Sequence, residues 1–181
     1  MLGARARRRG KEGRPRPGSP ARGAVSEEIV GGGETEMNVR PWRYEDLNEI
    51  ASLESECFSQ DPWNVRMLAE SFLSPHFVGV LLEEDGAVTA YGGIGVVEDE
   101  AELQLIATAE MYRRCGRGKL VLARLEEEAK KRGAKKMFLE VRVSNSSALM
   151  MYLRAGFRGI YTRPRYYRDG EDALVMKKEL A

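Results

Sequence analysis

The segment Arg113-Arg114-Cys115-Gly116-Arg117-Gly118 decides the fold because of what stands on either side of it. Residues 102–108 before it have the character of a strand, and residues 119–132 after it have the periodicity of a helix. Two glycines between a strand and a helix leave backbone N–H groups open at a helix N-terminus, where the helix dipole favours anions. The arrangement indicates a loop that binds a diphosphate. The motif alone is weak evidence, since glycines in such a place often serve only as a turn.

The helix after this loop is strongly specified by its sequence. Leu122, Leu125 and Ala129 share one face, and Gly133 marks the C-terminal end. Oppositely charged residues spaced four apart predict three surface ion pairs: Glu126 with Lys130, Glu127 with Lys131, and Glu128 with Arg132.

The rest of the chain alternates between strand-like and helical stretches. Strands are predicted at residues 38–43, 77–83, 87–97, 102–108, 137–143, 157–161 and 173–178. Helices are predicted at residues 44–58, from Asp61-Pro62-Trp63 onward with Pro62 in the first turn, at 119–132, and from Ser144 or Asn145 to Gly156. Asp85-Gly86 predicts a hairpin turn. This mixed order predicts a single α/β or α+β domain.

The composition excludes several classes of protein. With 181 residues and a net charge of +1, the chain is long enough for one domain with a real core. Residues 37–181 carry 21 basic and 23 acidic side chains, so they lack the basic surface of a nucleic-acid-binding domain. Two cysteines, Cys57 and Cys115, are too few for a disulfide framework, and no apolar run approaches the ~20 residues that cross a membrane. We therefore expect a soluble cytoplasmic protein with no membrane partner.

Residues 1–36 differ from the rest in composition. They are rich in Gly, Pro, Arg and Glu, lack helical or strand periodicity, and are expected to be disordered. Three interpretations are open: a basic arm that contacts RNA, an organelle transit peptide, or a translation start assigned too early, with Met37 as the true first residue. The last is favoured because folded sequence begins directly after Met37, and because Pro and Gly disrupt an amphipathic transit helix. Direct nucleic-acid binding is expected only through this segment.

Two residues in the second half of the chain are candidates for proton transfer. Glu140 stands in an apolar strand and points away from the face of its neighbours Leu139 and Val141. A carboxylate in such a place is solvated, ion-paired or functional, and Arg142 on the same face is a candidate partner. Tyr152 on the next helix is aligned with two alanines at helical spacing, as core aromatics often are. Neither residue identifies a function alone.

The order of the motifs along the chain is more informative than any one of them. They are Asp61-Pro62-Trp63, the Arg-x-x-Gly-x-Gly loop, Phe-Leu-Glu-Val-Arg-Val-Ser-Asn at 138–145, Met-Tyr-Leu-Arg-Ala-Gly-Phe at 151–157, and Tyr-Tyr-Arg-Asp-Gly-Glu-Asp-Ala at 166–173. In this order they resemble the GCN5-related N-acetyltransferases (GNAT). Within that family they resemble the RimI branch, bacterial enzymes that acetylate the N-terminal alanine of a small-subunit ribosomal protein. The resemblance covers residues 37–180, and residues 1–36 have no counterpart.

The resemblance implies a fold and a co-substrate. The GNAT fold has a central twisted mixed sheet that splays open between its fourth and fifth strands, here residues 102–108 and 136–143. Acetyl-CoA would lie in the opening, where backbone groups would polarise its thioester carbonyl, and no metal would be needed. The residues expected to contact it are Ile106, Ala107 and Thr108 through their backbone, Arg114, Cys115, Gly116, Arg117, Gly118 and Lys119 around the pyrophosphate, and Asn145.

The resemblance also assigns the proton carriers. Glu140 matches the family's proton acceptor and Tyr152 its proton donor. A free α-amino group has a pKa near ~8 and is mostly protonated at neutral pH, so a base must remove its proton before it attacks a thioester. Trp63, Tyr166 and Tyr167 match the peptide-binding region, although the two tyrosines are equally explained as ordinary strand aromatics.

The sequence departs from the family pattern at three places. Ala109-Glu110 stands where an Asp-Pro or His-Pro pair usually follows the fourth strand, Cys115 where Gln or Arg is common, and Arg117 where a branched aliphatic is usual. Both glycines are kept, so we expect a change in loop shape rather than a loss of cofactor binding. A nucleophilic role for Cys115 is disfavoured because the family transfers the acetyl group directly. His76, the single histidine, is expected in a turn or at the surface.

Together these inferences predict an acetyl-CoA-dependent protein N-terminal acetyltransferase that acts on the alanine-starting eighteenth small-subunit ribosomal protein. The alternatives are the same chemistry on other N-termini, a lysine or a small amine, and a non-catalytic acyl-CoA-binding or RNA-associated module. The tyrosine-rich motif disfavours small amines. Retention of both Glu140 and Tyr152 disfavours a pure binding module.

Overall fold

A computed structural model of the chain describes residues 36–58 and 60–180. The strands are β1 Met37–Pro41, β2 Phe77–Glu84, β3 Ala87–Val97, β4 Glu100–Thr108, β5 Lys136–Arg142, β6 Arg158–Arg163 and β7 Ala173–Glu179. The helices are α1 Leu47–Cys57, α2 Val65–Phe72, α3 Arg117–Lys131 and α4 Ser146–Arg154, with 3₁₀ turns at Tyr44–Asp46 and Glu110–Tyr112. None of the helices in this described part has the length and apolar character needed to span a membrane.

The strands form one mixed sheet in the order β1-β2-β3-β4-β5-β7-β6. Neighbouring strands are antiparallel except β4 and β5, which are parallel. These two pair at three positions only, from Glu100 opposite Lys136 to Glu102 opposite Phe138. Beyond those positions β4 and β5 part. The predicted α/β fold, with a sheet splayed between its fourth and fifth strands, is therefore confirmed.

Helices cover both faces of the sheet because consecutive strand residues point in opposite directions. Val80 and Leu82 of β2 belong to one core cluster, with α3 and α4, whereas Leu81 between them belongs to another, with α1 and α2. The predicted apolar face of α3 is fully buried in the first cluster. The parting of β4 and β5 thus lies beneath α3 and α4.

Several local signals in the sequence are confirmed. Asp85 and Gly86 have φ of 49° and 82°, which suits a tight hairpin turn between β2 and β3. Gly133 follows α3 with φ of 88°. Asn145 caps α4, since its Oδ1 accepts a hydrogen bond from Ala148 N at 3.1 Å. Each of these depends on residues close in sequence.

The predicted start of α2 at Asp61-Pro62-Trp63 is wrong. The helix begins at Val65, and Asn64 caps it by accepting a hydrogen bond from Met67 N at 3.0 Å. The physical reason is that the backbone of Asn64 is extended, with φ of −83° and ψ of 168°, so the helical conformation starts only after it. Trp63 N, outside the helix, donates to Glu54 Oε2 at 2.9 Å. Pro62 therefore precedes the helix.

The three ion pairs predicted on α3 are also wrong. In the described residues, Glu128 pairs with Arg124 at 3.1 Å and with Lys131 at 2.8 Å, and Arg124 also reaches Glu127 at 3.1 Å. Glu126 turns towards β7, where Lys178 Nζ lies 2.5 Å from its Oε2. A tertiary contact and a basic residue earlier in the helix have displaced the regular i,i+4 pattern.

The predicted disordered segment, residues 1–36, lies outside the described residues apart from Glu36. Glu36 N donates to Asp85 Oδ1 at 3.2 Å, and its carbonyl oxygen accepts from Asp85 N at 3.2 Å. Glu36 therefore extends the edge of β1 onto the hairpin turn.

Candidate active site

The free edge of β4 forms one wall of the candidate site. Beyond Glu102, β4 pairs with β3, with Ile106 opposite Gly92 and Thr108 opposite Ala90, while no described residue of β5 pairs with it there. Alternate backbone N–H and C=O groups therefore project from this edge without a strand partner, and the carbonyl oxygen of Thr108 at its end accepts from Arg113 Nε at 3.1 Å. The three residues expected to contact acetyl-CoA through their backbone, Ile106, Ala107 and Thr108, lie along it.

The glycine-rich loop leads from this wall to α3. Gly116 caps the helix with φ of 84°, a left-handed conformation that glycine adopts without strain. The N–H groups of Arg117, Gly118 and Lys119 in the first turn have no acceptor within the helix. A Cβ atom on Gly118 would lie 3.2 Å from Thr108 Oγ1 and 3.4 Å from the Met151 sulfur of α4. The start of α3 therefore sits close against both β4 and α4, with its N–H groups available to an anion.

The side chain of Arg117 is directed away from any such anion. Its Nε and Nη2 donate to the two carboxylate oxygens of Glu84 at 2.9 and 2.8 Å. Thr89 Oγ1 donates to the same carboxylate at 2.9 Å. The guanidinium lowers the pKa of Glu84, which is buried. Arg117 therefore offers an anion at the helix N-terminus its backbone N–H and not its side chain. Arg114, with φ of 63°, and Cys115 are exposed.

Glu140 lies on β5, the opposite wall of the site. Its side chain is 8% exposed; Arg163 Nη1 lies 3.2 Å from Oε1, and the Tyr166 hydroxyl donates to Oε2 at 3.2 Å. Burial raises the pKa of this carboxyl, and the opposing effects of Arg163 and Tyr166 are smaller. Arg142, the candidate partner suggested by the sequence, does not pair with Glu140. It lies at the end of β5, where its guanidinium binds residues of the β6–β7 loop.

The β6–β7 loop, residues 164–172, is fastened by Arg142. The guanidinium lies 3.9 Å from the centre of the Tyr167 ring and binds Asp169 at 2.7 Å and Glu171 at 2.6 Å. Ser144 N donates to Glu171 Oε1 at 2.9 Å, and these contacts lower the pKa of Glu171 to about 2. The loop that carries the two predicted substrate tyrosines is thus fixed to the end of β5.

Tyr152 is both a core residue and a neighbour of these tyrosines. Its ring is 5% exposed and meets Phe157 edge-on at 5.8 Å between ring centres. Burial raises the pKa of the Tyr152 phenol, and the nearby Tyr167 adds to the effect. Tyr166 and Tyr167 meet edge-on at 5.2 Å. The two tyrosines therefore connect the surroundings of Glu140 with those of Tyr152.

Trp63 lies in the segment between α1 and α2, half-buried against the second core cluster. Asp61, two residues earlier, lies 3.3 Å from Arg168 of the β6–β7 loop, so the two segments meet. Trp63 N is held by Glu54, whose other oxygen accepts from the Tyr91 hydroxyl at 2.8 Å. Glu54 is 1% exposed. Sequence reasoning missed the role of Glu54, although a carboxylate at a core position of α1 was the available signal.

Two other predicted residues have local roles in the structure. The carbonyl oxygen of the Asn145 side chain is used by the α4 cap, which leaves its amide NH₂ for any ligand. His76 lies exposed before β2, with its backbone N–H donating to Ser74 Oγ at 3.3 Å, as a turn residue would.

Comparison with known proteins agrees with this geometry. Residues 44–157 match the family model described as Acetyltransferase (GNAT) family. The [ribosomal protein bS18]-alanine N-acetyltransferase of Escherichia coli K12 is 36% identical over 118 residues, which are 64% of this chain and 79% of that protein. A Bacillus subtilis protein, provisionally named for the same reaction, is 34% identical over 144 residues, which are 78% of this chain and 95% of the relative.

Solved structures show the same fold. The crystal structure of the ribosomal-protein-S18-alanine N-acetyltransferase from Escherichia coli superposes with a TM-score of 0.74 and 31% identity, covering 81% of this chain and 95% of that one. A Salmonella typhimurium structure with its cofactor acetyl-CoA superposes with a TM-score of 0.68 and 20% identity, over 80% of this chain and 94% of that one. The family match spans more than half of the chain and includes both walls of the site. The chain therefore belongs to the GNAT family of acetyltransferases and is a RimI-like member of it.

Proposed function

We propose that this protein transfers the acetyl group of acetyl-CoA to the N-terminal amine of a protein, that of the alanine-starting ribosomal protein bS18. The observation that carries the proposal is the parting of β4 and β5, with a free helix N-terminus at one end and the buried carboxylate of Glu140 on the far wall. The choice of bS18 as the substrate rests on the relatives that are named for this reaction.

The residues present fit acetyl-CoA. An extended pantetheine arm would hydrogen-bond the free edge of β4 at Ile106, Ala107 and Thr108. Its diphosphate would accept hydrogen bonds from the backbone N–H groups at the start of α3. The absence of a side chain at Gly118 leaves room there for the phosphate oxygens. Arg114, Cys115 and Lys119 are exposed beside this position, and Asn145 at the start of α4 would approach from the other side.

Glu140 is the proposed base. The α-ammonium of the substrate loses its proton to this carboxylate, directly or through water, and the free amine attacks the thioester carbonyl carbon. Burial raises the pKa of Glu140 and so makes its carboxylate a stronger base than an exposed one. The charge of Arg163 opposes this rise and favours the ionised form of Glu140.

Tyr152 is the proposed acid. As the carbon–sulfur bond breaks, the departing thiolate of CoA takes the phenolic proton. The raised pKa of Tyr152 keeps the phenol protonated at neutral pH, so that the proton is present when the carbon–sulfur bond breaks. Trp63, Tyr166 and Tyr167, on two segments joined by the ion pair between Asp61 and Arg168, would border the peptide.

The test is acetylation of defined peptides. The purified protein is incubated with acetyl-CoA and peptides that begin with Ala, Ser, Met or Glu, together with N-terminally blocked peptides containing lysine and a small amine such as spermidine. Mass spectrometry should find acetylation at the free N-terminus of the bS18 peptide first. Preferred acetylation of lysine or spermidine would show that the proposed substrate is wrong. Binding of acetyl-CoA without transfer to any acceptor would indicate a non-catalytic module.

A further inference from the structure

Glu84 is a buried carboxylate outside the catalytic wall. It ends β2, directly before the hairpin turn, and is 4% exposed. Both of its oxygens are bound: Oε1 accepts from Arg117 Nε and from Thr89 Oγ1, and Oε2 accepts from Arg117 Nη2. The two parallel hydrogen bonds from Arg117 form a fork, which fixes the orientation of the guanidinium as well as its distance.

Neither charge is favourable by itself. Arg117 is the first residue of α3, where the positive end of the helix dipole disfavours a cation. Glu84 is 4% exposed, so its carboxylate loses most of its hydration. Each residue is stable there only because the other is present. A branched aliphatic residue at position 117, which the family pattern led us to expect, would need no acid partner.

The guanidinium joins three parts of the structure. Besides Glu84 at the end of β2, its Nη1 donates to the Cys115 carbonyl oxygen at 3.3 Å, and its centre lies 5.9 Å from the centre of the Tyr112 ring. Cys115 belongs to the glycine-rich loop and Tyr112 to the turn before it. Arg117 therefore connects the glycine-rich loop, and the turn that precedes it, to the end of β2.

We propose that Glu84 and Arg117 are a positioning pair that sets the direction of the first-turn N–H groups of α3, and that the Arg117 guanidinium is not a ligand of the diphosphate. This inference rests on the proposed binding of acetyl-CoA at that helix end. Arg117 stands between two glycines, Gly116 with φ of 84° and Gly118, neither of which has a side chain to hold the loop, so the Arg117 side chain restrains this stretch. Arg117 also neutralises Glu84, which would otherwise repel a diphosphate.

The test compares single and paired substitutions. Arg117→Leu leaves an unpaired buried carboxylate, and Glu84→Gln places an amide NH₂ against the guanidinium. Glu84→Leu combined with Arg117→Leu replaces the pair by an apolar contact, a change that buried ion pairs often tolerate. Calorimetry gives the dissociation constant for acetyl-CoA, and steady-state kinetics give KM and kcat. Arg124→Leu, which removes an exposed ion pair on the same helix, is the matched control.

We expect Arg117→Leu to raise the dissociation constant and KM for acetyl-CoA on the order of tenfold, because misplaced donors lose much of their contribution. The kcat at saturating acetyl-CoA should stay near that of the unaltered protein. The paired variant should recover most of the affinity, and Arg124→Leu should have no effect. If Arg117→Leu does not fold, as thermal melting will show, Arg117→Lys keeps the charge and removes the fork.

Three results would overturn the inference. Unchanged affinity in Arg117→Leu and Glu84→Gln would show that the pair positions nothing. A paired variant as weak as Arg117→Leu, with a weaker dependence of binding on salt, would show that the guanidinium contacts the phosphates directly. Failure of the unaltered protein to bind acetyl-CoA would overturn the proposed function and the inference together, which separates that case from the other two.

Discussion

Glu140 and Arg163 form an ion pair across the sheet, with 3.2 Å between Oε1 and Nη1, although β7 lies between their strands. The pair gives the proposed base two opposing influences. Burial raises the pKa of Glu140, and the guanidinium lowers it. Arg163 also lies 5.6 Å from the centre of the Tyr166 ring, whose hydroxyl binds the other oxygen of Glu140. Residues of β6 and of the loop after it therefore lower the pKa of Glu140 against the larger effect of burial.

The first prediction follows from this pair. Arg163→Gln removes a charge that favours the ionised form of Glu140, so the pKa of Glu140 rises further. Because the reaction needs the ionised carboxylate, the acid limb of the kcat/KM profile should move to higher pH. Arg158→Gln removes a charge from the same strand without contacting Glu140 and should leave the limb in place. An unmoved limb in Arg163→Gln would show that Glu140 is not the group that titrates.

The second prediction concerns the base itself. Glu140→Gln keeps the shape of the side chain but cannot accept a proton, so kcat should fall on the order of 10²–10⁴-fold at neutral pH. Turnover should partly recover as the pH approaches ~8, where more of the substrate amine is already deprotonated. Calorimetry should find unchanged acetyl-CoA binding. Turnover equal to that of the unaltered protein would exclude Glu140 as the base.

The third prediction separates the acid from the base. Tyr152→Phe keeps the edge-on contact with Phe157 and removes only the hydroxyl. The loss of turnover should persist as the pH is raised, because the missing proton is the one delivered to the thiolate. Tyr44→Phe, at an exposed tyrosine, is the control and should be silent. Recovery of Tyr152→Phe at high pH would assign the phenol a different role.

The sequence predicted those parts of the fold that depend on nearby residues. The hairpin turn at Asp85-Gly86, the glycine after α3 and the Asn145 cap each need only a few positions, and all were confirmed. The start of α2 was misplaced because Pro62 was taken as a first-turn residue, whereas Asn64 caps the helix. The splaying of β4 and β5 was expected from the family resemblance, since periodicity alone does not give the order of strands.

The partners of buried charges could not be predicted in the same way. Glu140 was matched with Arg142 because both share a face of one strand, yet the structure pairs it with Arg163, 23 positions away. Arg117 and Glu84 are 33 residues apart. Burial makes the choice of partner a matter of three-dimensional placement, so a sequence can mark a carboxylate as unusual without indicating what neutralises it.

The fourth prediction tests the close approach at Gly118. A Cβ atom there would lie 3.2 Å from Thr108 Oγ1, and the two methyl groups of valine would extend into the same gap. Gly118→Val should raise KM for acetyl-CoA at least about tenfold while the protein stays folded, and Gly118→Ala should fall in between. Lys130→Val puts the same side chain at an exposed position of α3 and should be neutral. Unchanged binding by folded Gly118→Val would contradict the loop assignment.

The fifth prediction concerns residues 1–35, which carry eight basic and four acidic side chains and are expected to lie outside the catalytic unit. A protein that begins at Glu36 keeps the two hydrogen bonds between Glu36 and Asp85 at the edge of β1. It should melt at the same temperature as the full chain and acetylate a free peptide at the same rate. If the segment binds RNA, the two proteins will differ only on ribosomal particles, and the difference will shrink as salt screens the phosphate contacts. Slower acetylation of the free peptide would instead place residues 1–35 within the catalytic unit.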